Sequence, residues 1–78
     1  MAGNVPELVA TIARALADHP ESVTVTEGTS GRERVVRLSV APDDMGRVIG
    51  REGRVANAIR SLLEAVPGDE RWGLEIVD

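Results

Sequence analysis

Apolar residues recur at helical spacing at the start of this 78-residue chain. The spacing predicts an amphipathic helix over residues 4–18. Asn4 is a candidate N-cap, with Glu7 three residues later as in a capping box, and His19-Pro20 is expected to end the helix. The predicted apolar face of this helix consists of Val5, Leu8, Val9, Ile12, Ala13 and Leu16.

Two strand patterns follow and predict an antiparallel β-hairpin. Residues 22–27 are rich in β-branched side chains and alternate, which favours a half-buried strand. Residues 28–31 carry a glycine at each end and predict the turn. Residues 32–41 predict the second strand, because apolar and polar positions alternate there. One face of that strand carries Val36, Leu38 and Val40, and the other carries Arg37 and Ser39.

The second half of the chain predicts two helices and a final strand. The acidic pair after Pro42 is expected to start a short helix that ends at Gly50, and a longer helix runs from about Gly53 to Val66. Residues 67–70 break that helix, and residues 71–77 form a strand. The apolar positions of the two helices are Met45, Val48, Ile49, Val55, Ile59, Leu62 and Leu63. One side of the strand carries Trp72, Leu74 and Ile76.

These elements predict an α+β fold in the order α-β-β-α-α-β. Two helices link the second and third strands, so a crossover with parallel pairing is expected. The result is a three-stranded mixed sheet with three helices on one face. A chain of this length holds one core.

A Gly-x-x-Gly turn lies between the two helices of the second half. Glycine permits a sharp turn and a close approach to a ligand, because it has no Cβ. Exposed amide groups at the start of the following helix favour anions such as phosphate. The arginines around this turn are Arg47, Arg51, Arg54 and Arg60.

Charge is distributed unevenly along the chain. The net charge is −4, which argues against strong, non-specific binding of nucleic acid. Residues 46–60 nevertheless contain four Arg and one Glu, a net charge of +3, so the other positions sum to −7. An acidic chain with one basic segment suits a weak, local contact with an anion.

The residue types present exclude several classes of function. With one His and no Cys, the chain has no thiol nucleophile, thiolate zinc site or disulfide framework. No Walker A or Rossmann fingerprint accompanies Gly50, and Asp43-Asp44 is interpreted as a pair of first-turn helix charges. We therefore expect a protein without catalytic residues, cofactor or metal. No signal peptide or membrane span is apparent, so a cytoplasmic protein without membrane contact is expected.

The segment from Asp43 to Arg60 resembles a known family. Its centre, Ile49-Gly50-Arg51-Glu52-Gly53-Arg54, lies between two predicted helices and is similar to the loop of the KH domain. The helix and strand ahead of the βααβ core resemble the type II arrangement. The longer segment is similar to small bacterial single-KH proteins of the KhpA family. The resemblance implies one KH domain over residues 1–78, with its core at 32–77 and its loop at 50–53.

This resemblance implies a groove for about four nucleotides of single-stranded RNA, with the loop against the nucleic-acid backbone. Ile49 and its neighbour Val48 would form an apolar floor under the bases, and the final strand near Trp72 would border the far side. The candidate RNA-binding residues are Arg47, Val48, Ile49, Gly50, Arg51, Glu52, Gly53, Arg54, Val55, Asn57 and Arg60. The family further implies an RNA chaperone, a homodimer or a complex with a larger KhpB-type partner, and a link to cell elongation and the cell envelope.

Several alternatives stay open. The chain could serve mainly as a protein-interaction module, in which case Ala58, Ile59, Leu62 and Leu63 should leave apolar surface beyond what covers the sheet. Single-stranded DNA is a further candidate ligand. Glu52 departs from the more basic loops usual in the family. It either weakens phosphate binding, points away, pairs with a neighbouring Arg or accepts a hydrogen bond from a base.

Overall fold

In the computed structural model, which describes residues 4–68 and 70–77, helices cover one face of a three-stranded sheet. The α+β class and the element order agree with the prediction. Residues 1–3, Asp69 and Asp78 lie outside the described residues, so the predicted break at 67–70 is described only in part. Within the described ranges, no helix is long and apolar enough to cross a membrane.

Helix α1 spans Val5–Leu16 and begins as predicted. The Asn4 side-chain Oδ1 accepts a hydrogen bond from the backbone N–H of Glu7 at 3.1 Å. The Glu7 carboxylate lies 3.8 Å from Arg14. The helix ends earlier than residue 18, because Ala17 has an extended backbone.

The buried face of α1 is narrower than its predicted apolar face. Val5, Val9 and Ala13 are buried together with Ala10, whereas Leu8 and Leu16 are exposed. The two leucines therefore belong to the predicted apolar face but lie outside its buried part. Only one side of α1 faces strands of the narrow sheet, so positions at the margin of the apolar stripe stay in contact with solvent.

The hairpin consists of β1 (Thr24–Ser30) and β2 (Glu33–Ser39), paired antiparallel with Ser30 opposite Glu33. The turn is therefore residues 31–32, and the prediction of a turn at 28–31 is wrong for its first three residues. Gly28 lies within β1 opposite Val35, and the Arg37 guanidinium occupies the space that a Cβ would need there. Strand β1 is shifted toward the C-terminus from the predicted range 22–27, whereas β2 lies within the predicted range 32–41.

Strand β3 spans Arg71–Val77, as predicted, and pairs parallel with β2. It forms one edge of the sheet, which has the order β1-β2-β3. Leu74 is buried on the helical side, and Trp72 and Ile76 pack partly against the core. The sheet thus presents one apolar face to the helices.

The connection between β2 and β3 contains the two remaining helices. Helix α2 spans Met45–Ile49 after a 3-10 turn at Pro42–Asp44, and helix α3 spans Arg54–Glu64 after a 3-10 turn at Arg51–Gly53. Helix α3 packs on β3, and α2 packs against α3. The turn between the two helices is held outside the sheet, at the start of α3.

Candidate nucleic-acid interface

Backbone conformation defines the turn between α2 and α3. The Gly50 N–H donates to the Gly46 carbonyl at 2.8 Å, and the Gly53 N–H donates to the Gly50 carbonyl at 3.1 Å. Gly50, Glu52 and Gly53 have φ angles of 79°, 57° and 76°. Side chains disfavour this left-handed region. The chain therefore reverses direction within a few residues.

Glycine is needed at these two positions for different structural reasons. A Cβ on Gly50 would lie 2.6 Å from Val55 Cγ2 and 2.8 Å from the Val55 backbone nitrogen, closer than atoms can approach. A Cβ on Gly53 would meet only the Asn57 side chain, at 3.6 Å. Gly50 is thus required by packing, whereas Gly53 is favoured only by its backbone conformation and leaves the outer side of the turn open.

The backbone amides at the start of α3 meet no capping side chain, although the Arg54 N–H donates to the Arg51 carbonyl in the preceding 3-10 turn. Gly53 is its N-cap, no side chain caps the helix, and no acidic residue lies in its first turn. The first amides of a helix have no partner inside the helix, and the helix dipole places partial positive charge there. Arg51 is exposed beside them and has no carboxylate within 4 Å among the described residues. An anion is therefore favoured at this point.

The apolar candidates separate into core and surface. Val48 is completely buried in the core, whereas Ile49 is 36% exposed. Val55 packs partly against the core and touches the turn at Gly50. Ile49 is therefore the residue of this pair that can present apolar surface to a ligand, whereas Val48 anchors α2 in the core.

Arg47 lies in an ion-pair network on the N-terminal side of α2. Its Nη2 is 3.0 Å from the Asp18 carboxylate, and its Nε is 3.9 Å from Asp44. The network joins α2 to the segment after α1. The structure thus places the Arg47 guanidinium beside two carboxylates.

Asp44 is the centre of this network and is completely buried. Its two carboxylate oxygens accept hydrogen bonds from the backbone N–H groups of Asp18 and His19, both at 2.9 Å. Burial alone raises the pKa of Asp44, but these donors and the nearby charges of His19 and Arg47 outweigh it and hold the pKa below its usual 3.8. Sequence reasoning missed this role because the donors lie 25 and 26 residues away.

The remaining polar candidates lie at the surface. The Glu52 carboxylate is 3.7 Å from Arg54 Nη2, and both side chains are mostly exposed. The pairing of Glu52 with a neighbouring Arg is thus the arrangement seen, although exposed pairs contribute little stability. The Arg60 Nη1 donates to Asn57 Oδ1 at 3.2 Å. Among the described residues, no group of acidic or His side chains could hold a metal ion.

The turn, its flanking helices and the sheet agree with one family. The family model described as "KhpA/KhpB, KH domain" matches residues 6–73. The chain belongs to this family. The helix and strand ahead of its βααβ core make it a KH domain of the type II arrangement.

Curated relatives match most of the chain. An "RNA-binding protein KhpA" of Caldanaerobacter subterraneus is 49% identical over 65 residues, 83% of this chain and 87% of the relative. A protein of the same name from Treponema pallidum is 47% identical over 74 residues, 92% of each chain. A third, from Leifsonia xyli, is 40% identical over 67 residues, 86% of this chain and 88% of the relative.

Proposed function

We propose that this KH domain binds single-stranded RNA at the turn between α2 and α3. The observation that carries the proposal is the start of α3 behind Gly53, which no side chain caps, next to the exposed Arg51, which has no carboxylate within 4 Å among the described residues. Backbone amides and a guanidinium are the donors that phosphate oxygens prefer. The names of the relatives support RNA as the ligand.

In this proposal the RNA backbone lies against residues 50–53 and the bases turn toward Ile49 and Val55. Asn57 and Arg60, which share a hydrogen bond on α3, contact the strand after it leaves the turn. Arg54 contacts phosphate when it leaves Glu52, a weak exposed partner. Arg47 and Val48 act as positioning residues that hold α2, since one is ion-paired and the other lies in the core.

Replacement of Gly53 tests the proposal. Asp and Asn tolerate the left-handed conformation, and the site has room for a side chain. Gly53→Asp places a negative charge where the phosphate is expected, whereas Gly53→Asn has nearly the same shape without the charge. We expect Gly53→Asp to weaken RNA affinity about tenfold relative to Gly53→Asn, equivalent to about 1.4 kcal/mol. Fluorescence anisotropy with short RNA pools measures the difference.

Thermal unfolding followed by circular dichroism serves as the control for folding of both variants. Binding by the unmodified protein should weaken as salt increases, since phosphate contacts release counterions. Equal affinities of the Asp and Asn variants at low salt would exclude the turn between α2 and α3 as the RNA-binding site. The same experiment with DNA pools decides between RNA and single-stranded DNA.

We further propose that the domain acts in the cytoplasm as an RNA chaperone, without catalysing a reaction. It would act as a homodimer or with a larger KhpB-type partner, in a process linked to cell elongation and the envelope. The description of the family, which joins KhpA and KhpB, supports the pairing with a KhpB-type partner. Pairing of two domains would strengthen weak single-site binding, because the second site binds at high effective concentration.

A second candidate function, protein interaction, is favoured by the outer side of α3. Ile59 and Leu63 are buried against the sheet, but Leu62 is 52% exposed and Ala58 is exposed beside it, one turn away. Apolar surface thus remains after α3 has covered β3. A large exposed leucine next to small residues suits a helix-helix contact.

We expect Leu62→Glu to shift a self-associating protein toward monomer, because the change places a charge in the contact. Sedimentation velocity over a range of concentrations measures the shift. Leu8→Glu is the matched control, since Leu8 is 43% exposed on α1. A protein that stays monomeric at high concentration, or a dimer unaffected by Leu62→Glu, would argue against this surface.

A further inference from the structure

Glu52 is the acidic residue of the turn between α2 and α3, and its backbone conformation is unusual. Its φ of 57° is in the left-handed region, and no other non-glycine residue among those described has a positive φ. A residue with a Cβ is disfavoured in this region, and strained positions of this kind cluster at functional sites. Glycine would form the same turn with less strain, so any contribution of Glu52 comes from its side chain.

Positive charge is concentrated around this side chain. Arg54 is the first residue of α3, where the helix dipole is also positive, and Arg51 is exposed three positions earlier. Glu52 is the only acidic residue between positions 45 and 63. Residues 51–54 therefore hold two arginines and one carboxylate, a net charge of +1.

The Glu52 carboxylate stays close to one of the two arginines. It lies 3.7 Å from Arg54 Nη2, and at least three-quarters of each side chain is exposed. Such a pair is a loose contact in water. Because one residue separates the two in the chain, the carboxylate is nevertheless present beside the guanidinium at high effective concentration. In the free protein, Glu52 thus takes the place of an external anion beside Arg54.

An RNA phosphate at the start of α3 must compete with this carboxylate. Carboxylate and phosphate oxygens both accept charge-assisted hydrogen bonds from a guanidinium. Once displaced, the Glu52 carboxylate remains near the phosphate and repels it. The turn therefore neutralises less RNA charge than its two arginines would alone, and binding at the turn should depend less on salt.

We infer that Glu52 is an internal competitor of RNA phosphate, which sets how fast RNA leaves the turn between α2 and α3. A bound phosphate displaces the carboxylate from Arg54, and the carboxylate returns when the phosphate dissociates. This role rests on the proposed function, because it concerns the release of the same RNA from the same turn. Rapid release suits a chaperone, which must leave the RNA that it has bound.

Glu52→Gln tests this role, because the change removes the charge and nearly keeps the size of the side chain. We expect the variant to bind short RNA pools about threefold tighter at low salt, mainly through slower dissociation. The slope of log affinity against log salt concentration should become steeper by about 0.7, as for one more neutralised phosphate of a single strand. Fluorescence anisotropy at several salt concentrations measures the slope, and stopped-flow fluorescence measures the dissociation rate.

Glu7→Gln is the matched control. Glu7 forms an exposed ion pair with Arg14 at 3.8 Å on α1, and its replacement changes the net charge of the protein by the same amount. We expect this control to leave the affinity and the salt dependence nearly unchanged. If it raises both as much as Glu52→Gln does, the effect belongs to the overall charge of the protein, and the role assigned to Glu52 is wrong.

A double-mutant cycle tests whether Glu52 acts through Arg54. When Arg54 is already replaced in Arg54→Gln, the further change Glu52→Gln should raise the affinity less than about 1.5-fold, because the guanidinium for which the carboxylate competes is absent. A threefold gain that persists without Arg54 would exclude competition at this side chain. Thermal unfolding followed by circular dichroism shows that each variant is folded.

The outcomes separate this role from the proposed function. If Glu52→Gln binds RNA with the affinity and salt dependence of the unmodified protein, Glu52 is not a competitor, while a loss in Gly53→Asp relative to Gly53→Asn still supports the turn as the RNA site. If the unmodified protein binds no RNA, or if both Gly53 variants bind equally, the proposed function and the role of Glu52 both fail.

Discussion

Gly50→Ala is expected to destabilise the domain severely, whereas Gly53→Ala is expected to have a mild effect. Gly50 has φ 79° and ψ 169°, a region open essentially only to glycine and costing other residues about 1–3 kcal/mol. The new Cβ would also overlap the backbone and side chain of Val55. We therefore expect a loss of about 3 kcal/mol or more in the free energy of unfolding, a large part of the stability of a small domain.

Gly53→Ala is the matched control for this prediction. Gly53 has an ordinary left-handed conformation, with φ 76° and ψ 13°, and its surroundings have room for a methyl group. The expected loss is about 1–2 kcal/mol. Urea unfolding of both variants measures the two losses. Equal losses, or a larger loss for Gly53→Ala, would contradict the assignment of Gly50 to packing and Gly53 to backbone conformation.

Asp44→Ala is expected to lower the melting temperature by on the order of 10 °C. The change removes both acceptors of the Asp18 and His19 backbone N–H groups, and unsatisfied polar groups destabilise a folded protein. It also deprives Arg47 of one of its two carboxylate neighbours. Asp43→Asn, which removes the charge of the exposed neighbouring residue, is the matched control and should change the melting temperature little. Differential scanning calorimetry measures the melting temperatures of the unmodified protein and the two variants.

The contribution of Asp44 should also depend on pH. Because the folded-state pKa is lowered below 3.8, the carboxylate stabilises the fold fully at pH values above its unfolded pKa. This stabilisation is lost as pH falls through the lower folded-state pKa. The difference in melting temperature between the unmodified protein and Asp44→Asn should therefore be largest near neutral pH and shrink below about pH 4. A difference that is constant from pH 7 to pH 3 would contradict this role of the carboxylate.

Together, these two predictions describe how the turn between α2 and α3 is supported. On one side, Gly50 packs on Val55 at the start of α3. On the other, Asp44 and Arg47 connect α2 to the chain segment that follows α1. The N-terminal helix is therefore part of the support of the loop and does more than cover the sheet. A substitution that breaks this network would weaken RNA binding because it displaces α2, although it removes no contact to the ligand.

Sequence reasoning succeeded where the signal is local. The N-cap at Asn4, the strand at 71–77 and the turn between α2 and α3 all depend on neighbours a few positions away, and the structure confirms them. It failed at Gly28, where the side chain of Arg37 on the partner strand occupies the space over the glycine. Glycine is typical of turns, so its role inside a strand can be recognised only once the strand partner is known.

The sequence by itself determined the α+β class, the order of elements, the family and the position of the Gly-x-x-Gly turn, because periodicity, caps and turn residues act over short distances. The tertiary structure decided how much of each apolar stripe is buried, since the narrow sheet leaves Leu8 and Leu62 exposed. It also decided which arginines are neutralised and that Asp44 is buried beside α1, because those contacts join residues far apart in the chain. Charge available to a ligand is thus a property of the folded molecule.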